Sequence, residues 1–409
     1  MMATRSEIGT HCCTVNLQTR LSRTICASLT HFCFRRLYAI VPTFFSAMPP
    51  HFPLPQPLEE IACQATQCME RGISQLTDGH PDALLNALTC FDQALQLRLK
   101  LPWQDHSWYR WLLTACWMNR GDVLTRESAA QNLAEAVRSF DEAIKLLEHL
   151  PLDEHPTFRR RLALAWMNRA LALRAQGNAK SLNEALQSLT RSLEVLLSSS
   201  EEPDSALHDS ILLNRATLLL QLSRPQEALL EACQLIEKCR PAEHSNQIVA
   251  EIGLKARHAY CLAVATLLET PPVEAKQADE WILRATDEVE EAIDLAVHWE
   301  KVGASAHFAE LRHELFRFGC RMYLAWQPHF LAEFLLDVLE PERDCTLNSA
   351  TADLRVPALE ALALAAQELR RRGPLDLGLK GMDRLLEVLE SLNLAAEKIK
   401  KLPIHSNEG

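Results

Sequence analysis

The sequence predicts an all-α fold, namely a right-handed α-solenoid of about seven antiparallel helix pairs. Apolar residues, chiefly Leu and Ala, make up 48% of the 409 residues, and glycine occurs only 12 times. This composition favours helices over strands. In addition, two short motifs recur in register four times along the chain. Such internal repetition is typical of proteins built from stacked helical units.

The first motif ends in a small residue, which we expect to let two helices approach closely. Its four copies are Cys68-Met-Glu-Arg-Gly72, Trp117-Met-Asn-Arg-Gly121, Trp166-Met-Asn-Arg-Ala170 and Leu212-Leu-Asn-Arg-Ala216. Successive copies are 49, 49 and 46 residues apart. The motif therefore indicates the first helix of each pair.

The second motif has three small or apolar residues spaced four and then three apart, which places them in one stripe along a helix. Its copies are Ala87-x3-Phe91-x2-Ala94, Ala136-x3-Phe140-x2-Ala143, Ala185-x3-Leu189-x2-Ser192 and Ala228-x3-Ala232-x2-Leu235. From the end of the first motif to the end of the second is 22 residues in three copies and 19 in the fourth. Neither helix can bury its stripe alone, so neighbouring pairs must stack.

Turn-forming residues separate the predicted helices at Asp78–Pro81, Gly177-Asn178 and Ser223–Pro225. Ser181 is followed by Glu184 and Ser223 by Gln226, and we interpret both as capping boxes that open second helices.

Beyond residue 240 the motifs weaken, but helix pairs are still predicted. The first pair is 246–268 with 276–300, whose stripe is Ala285, Val289 and Ala292. The second is 303–325 with 328–339, where Gly319 precedes the stripe Leu331, Leu335 and Val338. The last is 352–372 with 376–401. The predicted organisation is thus four repeats over 58–238, degenerate pairs with a capping helix over 239–401, and a tail at 402–409.

These motifs resemble the tetratricopeptide repeat, whose first helix carries W-x-N-L-G and whose second carries A-x3-[FY]-x2-A. The closest copy is Trp117-Met-Asn-Arg-Gly121, in which Arg120 replaces an apolar residue. The resemblance is specific over 58–238, although the period exceeds the family's roughly 34 residues. It implies a superhelix that binds proteins. It also assigns repeat packing to Trp117, Gly121, Trp166, Ala170, Ala136, Phe140, Ala143 and Phe91.

The resemblance further implies a concave groove lined by the first helices. Two rows of residues would face it: Asn119, Asn168 and Asn214 with Glu70, and Met69, Met118, Met167 and Leu213. An asparagine amide both donates and accepts, so it can pair with an extended peptide backbone. Methionine would provide an adaptable apolar floor. For both rows, packing between helices is the alternative.

A row of arginines recurs where the family has an apolar residue: Arg71, Arg120, Arg169 and Arg215. Ion pairs with Asp92 and Asp141 would explain half of the row, since Thr190 and Cys233 follow at that place. Stacking over Trp117 or Trp166 is the other explanation. The groove positions lack the basic residues that would capture an acidic C-terminus; they hold Met69, Met118, Ala115, Leu164 and Asp122.

A formal net charge of −11 argues against a nucleic-acid partner. Two basic clusters, 159–161 and 370–372, have acids nearby, so we interpret each as a solvated helix face rather than a phosphate site. The 13 cysteines are scattered without a CxxC pair, which favours reduced thiols in a cytoplasmic protein over a disulfide framework or zinc site.

Residues 1–57 differ from the rest, since 1–47 contain five arginines and one acid and 49–57 are rich in proline. The apolar stretch 37–48 is too short to cross a membrane. A transit segment, an upstream extension of a chain that starts at Met48, and an ordered role remain the alternatives.

No nucleotide-binding, nucleophile-elbow or HExxH motif occurs, so the sequence predicts no catalytic residue, metal or cofactor. The predicted function is a scaffold that binds an extended segment of a partner protein. The alternatives are a self-assembling structural module that forms homo-oligomers and a receptor for a short signalling peptide.

Overall fold

The computed structural model describes residues 55–76, 82–153, 155–198, 204–269, 274–303, 307–327 and 330–343. These ranges contain twelve α-helices and no strand. The helices are α1 Gln56–Gln75, α2 Ala83–Arg98, α3 Ser107–Glu127, α4 Ala130–Glu148, α5 Pro156–Gln176, α6 Ala179–Leu197, α7 Ser205–Gln221, α8 Pro225–Cys239, α9 Gln247–Glu269, α10 Ala275–Lys301, α11 His307–Trp326 and α12 Leu331–Arg343.

The chain divides into two compact units, with the division between Glu231 and Ala232 inside α8. In the first unit, each helix from α1 to α6 packs on the next, and α3 also packs on α5 and α5 on α7. In the second unit, α9 to α12 pack in sequence, and α9 also packs on α11. The first helices of neighbouring pairs therefore contact one another. This confirms the predicted all-α fold of consecutive helix pairs.

Small residues on first helices lie directly against aromatic rings of second helices. A Cβ atom added to Gly72 would lie 2.5 Å from the Phe91 ring, and one added to Gly121 would lie 2.7 Å from Phe140. In the third pair, Ala170 and Leu189 occupy the same two motif positions within one core cluster. Ala170 is larger than the glycine of the first two pairs, and its partner Leu189 is smaller than their phenylalanine.

The second unit repeats this contact with a change of register. Ala285, Val289 and Ala292 are fully buried, as predicted for their stripe. A Cβ atom on Gly319 would lie 2.6 Å from the Phe334 ring. The predicted stripe placed Leu335 at that position, so the ring comes from one residue earlier on α12.

The two predicted capping boxes are wrong. Ser181 is the third residue of α6, and the N-cap is Asn178, whose side chain accepts from the Ser181 N–H at 2.9 Å. Ser223 has a left-handed backbone with φ 57°, and α8 begins two residues later, at Pro225. Asn178 caps α6 and Pro225 begins α8, so neither serine caps a helix.

Several predicted features lie outside the described residues: the pair 352–401, the N-terminal segment 1–54, the tail 402–409, the basic cluster 370–372 and the turn at 78–81.

Candidate functional site

The predicted asparagine row lies on three first helices that contact one another in sequence. Asn119, Asn168 and Asn214 lie at the same repeat position on α3, α5 and α7. Asn119 is half-buried, whereas Asn168 is 7% exposed and Asn214 is 1% exposed. The row therefore runs from an accessible side chain to a buried one.

The amides in this row have hydrogen-bonding capacity that the described residues do not use. Asn214 donates from Nδ2 to the Ser210 carbonyl at 2.9 Å, but its Oδ1 is buried without a partner. The side chains of Asn119 and Asn168 make no hydrogen bond within the described part of the chain. A buried amide group without a partner costs about 1–3 kcal/mol, so such groups call for a reason.

Further polar side chains continue the face of the asparagine row. Asp122 follows Asn119 by three residues, and Thr217 and Gln221 follow Asn214 by three and seven, which puts each set on one side of its helix. Arg174 donates to Thr217 Oγ1 at 3.0 Å and so connects α5 to α7. Burial raises the pKa of Asp122 to about 6. One oxygen each of Asp122 and Gln221 is buried without a partner.

The methionine row lies in the core. Met69, Met118 and Met167 are 1%, 7% and 2% exposed, and Leu213 is 2% exposed. Residues that precede the asparagines are rotated by about 100° toward the paired second helix. The packing alternative accounts for this burial, because a ligand on the asparagine face would not reach these side chains. Glu70, the residue of the first copy at the asparagine position, is exposed on α1.

Two arginines of the row, Arg120 and Arg169, connect neighbouring helix pairs. Arg120 on α3 donates from Nε to Asp92 Oδ1 on α2 at 2.9 Å, and from Nη1 to Ser139 Oγ on α4 at 2.7 Å. Its guanidinium also lies 6.0 Å from the centre of the Trp117 ring. Each predicted explanation, ion pair and stacking, therefore applies to the same side chain.

The next copy repeats the arrangement. Arg169 donates to Asp141 Oδ1 at 2.7 Å and to Ser188 Oγ at 2.8 Å, and it lies 5.7 Å from the Trp166 ring centre. Each of these arginines thus joins three helices, one from the preceding pair and two from its own.

The fourth copy keeps its ion pair by changing the partner. Thr190 stands where Asp92 and Asp141 stand, but Arg215 donates to Glu231 Oε1 at 2.7 Å. Glu231 occupies the repeat position of Ser139 and Ser188 and not that of the aspartates, so it was not identified as a partner from the sequence. In the first copy, Arg71 contacts Cys68 Sγ on its own helix at 3.2 Å.

The other residues assigned to repeat packing contribute to the core in different degrees. Trp117 and Trp166 are half-buried. The fully buried ones are Phe91, Ala136, Phe140 and Ala143.

The interpretation of residues 159–161 as a solvated face is wrong. Arg159 is 7% exposed and pairs with Asp153 at 2.6 Å, and Arg160 forms an ion pair with Asp204. The Arg161 guanidinium lies 4.0 Å from the centre of the Trp111 ring. Three consecutive helical residues point in directions about 100° apart, so they cannot share one face.

The second unit contains a buried ionic cluster that the sequence did not indicate. Arg257 is fully buried and donates from Nη1 to Glu243 at 2.8 Å and from Nε to Glu288 at 3.0 Å. Glu288 also accepts from Arg240 at 3.1 Å. Burial raises the pKa of Glu288, whereas Arg257, Arg240 and Arg284 lower it. In the sequence, the only indication that Glu288 is buried is its position next to Val289 of the apolar stripe.

Among the described residues, no group of three or more His, Cys, Asp or Glu side chains is arranged to hold a metal ion. None of the described helices combines the length and the apolar character needed to span a bilayer. No protein-family model matches the chain, and no curated protein matches it either.

Proposed function

We propose that the chain is a tetratricopeptide-like solenoid that serves as a scaffold and binds an extended segment of a partner protein. The observation that carries this proposal is the unused hydrogen-bonding capacity of Asn119, Asn168 and Asn214 on first helices that contact one another. The in-register motifs and the consecutive helix pairs support the family assignment.

The spacing of the helices suits a peptide backbone. Packed helix axes lie about 8–10 Å apart, and an extended chain advances by about 3.3 Å per residue. Successive asparagines would therefore meet every third residue of a bound segment, and each amide would pair with its main chain. Asn168 and Asn214 are buried, so the proposal requires both side chains to turn outward when the segment binds.

The cysteines support a cytoplasmic location for this scaffold. The eight in the described residues are Cys63, Cys68, Cys90, Cys116, Cys233, Cys239, Cys261 and Cys320, and all are free thiols. Thiols persist in the reducing interior of the cell. The proposal includes no catalysis, cofactor, nucleic acid or membrane.

Selection from a library of displayed peptides, followed by calorimetry, tests this proposal. The variant N119A/N168A/N214A removes the row. The control N86A/N132A/N183A removes one asparagine from each of the second helices α2, α4 and α6. Each hydrogen bond is worth about 0.5–1.5 kcal/mol, so we expect the first variant to weaken binding by roughly tenfold or more. The control should bind as the unmodified chain does, and circular dichroism should be unchanged in both.

Equal binding by both variants would contradict the asparagine row as the site. If no peptide is selected and the molecular mass of the assembly in solution rises with protein concentration, the chain is a self-assembling module and not a scaffold.

A further inference from the structure

Two arginines of the first unit stand where other copies of the repeat have leucine. Arg98 is the last residue of α2, and Arg161 lies near the start of α5. Two other copies have leucine at each position, namely Leu147 and Leu196 for Arg98, and Leu112 and Leu207 for Arg161, and the remaining copy has Cys239 and Cys63, respectively. Of these leucines, three are buried and Leu112 is half-buried. The chain thus places two cations at sites that packing alone fills with apolar side chains.

Both guanidinium groups lie against the same turn of α3. Arg98 is 2% exposed; its Nη1 donates to the Leu112 carbonyl and lies 3.4 Å from Cys116 Sγ. The Arg161 guanidinium lies 4.0 Å from the Trp111 ring centre. Three N–H groups here are buried without a partner: Arg98 Nη2, Arg161 Nη1 and Trp111 Nε1.

No carboxylate of the described residues lies within salt-bridge distance of Arg98 or Arg161. Burial, and then the charges of Arg98 and Arg160, lower the pKa of Arg161 to about 9. The neighbouring Arg160, by contrast, has its own carboxylate partner, Asp204. Arg98 is thus a buried charge and Arg161 a half-buried one, and neither has a counter-charge. Burial of an unpaired charge is costly, and the contacts described above do not offset that cost.

We propose that Arg98, Trp111 and Arg161 form a binding site for a phosphate group. A phosphate carries a charge of about −1.5 to −2 at pH 7, which would balance two guanidinium groups. Its oxygens accept from several donors at once, and arginine presents its donors in a fork that fits them. Arg161 and Trp108 are half-buried and mark the side from which a ligand would enter. This site goes beyond the scaffold function and does not depend on the asparagine row.

The test is calorimetric titration of the intact chain with inorganic phosphate, supported by thermal midpoints measured against sodium chloride at equal ionic strength. Phosphate also stabilises proteins in general because it is excluded from their surfaces. The informative quantity is therefore the difference between the unmodified chain and the variants R98L and R161L. Both introduce the leucine that two other copies have at that position, so we expect them to fold. R191L is the matched control, because Arg191 is exposed and pairs with Glu194.

We expect phosphate affinity to fall at least roughly tenfold in R98L and in R161L, because each loses a charged donor. Trp111→Phe keeps an aromatic ring and removes one neutral donor but no charge, so its loss of phosphate affinity should be smaller. R191L and N119A/N168A/N214A should bind phosphate as the unmodified chain does. Failure of the asparagine row as a peptide site would therefore leave this result untouched.

Two further titrations identify the source of the phosphate group. Blocked phosphoserine that binds at least as tightly as inorganic phosphate indicates a phosphorylated protein segment. Binding of inorganic phosphate alone indicates a small phosphorylated molecule or the free ion. The proposal is overturned if the unmodified chain binds phosphate no more tightly than R98L, or if R191L loses as much affinity as R98L.

Discussion

The two units use arginine in different ways. In the first, Arg120, Arg169 and Arg215 each form a separate bridge, and their side chains are 20%, 18% and 27% exposed. In the second, Arg257 is fully buried and belongs to a single cluster of charged side chains. The other members of that cluster are Arg240, Arg284, Glu237, Glu243, Glu288 and Glu291.

The difference shows two ways to hold helix pairs together. The bridges of the first unit follow the period of the sequence: Arg120 and Arg169 join neighbouring pairs, and Arg215 joins the two helices of its own pair. The loss of one bridge therefore leaves the others intact. The second unit, where the motifs have decayed, places its ions in a single group whose members depend on each other. Charges in water-exposed bridges are weakly coupled, whereas buried ones are strongly coupled.

The largest expected effect is therefore in the second unit. Arg257→Met leaves Glu243 and Glu288 buried without their common partner, and we expect a loss of about 3–5 kcal/mol of unfolding free energy. Urea denaturation followed by circular dichroism measures it. Arg317→Met changes an exposed arginine of the same unit and should have little effect. A loss below about 1 kcal/mol for Arg257→Met would mean that the cluster is not coupled.

The two units should also respond oppositely to pH. Burial lowers the pKa of His258 to about 4, so the unfolded chain takes up a proton first and stability falls as pH drops from about 6.5 to about 4. Asp122, whose pKa is raised to about 6, ionises first in the unfolded chain, and stability falls as pH rises from about 4 to about 6. Each effect is about 3 kcal/mol at most.

Comparison of the unmodified chain with His258→Gln and Asp122→Asn isolates the two contributions in urea titrations between pH 4 and 7. His258→Gln should remove the loss on acidification, and Asp122→Asn should remove the loss on alkalinisation. If both substitutions shifted the pH dependence of the unfolding free energy in the same direction, the opposite pH responses assigned to His258 and Asp122 would be refuted.

Close contact between a glycine and a ring is common to both units, so its removal should cost about the same in each. Gly121→Ala and Gly319→Ala force a methyl group against Phe140 and Phe334, and we expect a loss of about 1–3 kcal/mol for either. Phe140→Leu should recover part of the loss of Gly121→Ala, since Ala170 and Leu189 already form that combination. Thermal denaturation of the single and double variants measures this rescue, and additive losses would exclude it.

The smallest expected effect concerns one bridge of the first unit. Arg120→Met should lower stability by about 0.5–1 kcal/mol, because the pair with Asp92 is partly solvated and is screened by salt. A double-mutant cycle with Asp92→Asn separates the pair from the other contacts of Arg120. A coupling energy as large as the loss in Arg257→Met would remove the distinction between the two units.

The sequence was sufficient for the helices, because apolar spacing within a helix is a local property. It predicted helices close to α9 and α10, for example, although their motifs are weak. The sequence did not predict which charged residue on another helix pairs with a given arginine. Glu231 and Arg215 are paired by the approach of two helices, and nothing near either residue specifies the other. Arg161 looked solvated for the same reason.

The asparagine row was predictable as a row, because its members recur with the repeat. Its exposure was not, since Asn119 is half-buried and Asn214 is 1% exposed although both hold the same repeat position.

The contact between a small residue and a ring also bears on how such a chain can change over generations. The sizes of Gly121 and Phe140 are matched within one helix pair, and Ala170 and Leu189 satisfy the same fit with different sizes. A substitution at one of these positions is compensated inside its own pair. Each pair can then vary in thickness without requiring a change in its neighbours, so new surface chemistry can arise in one pair while the others keep theirs.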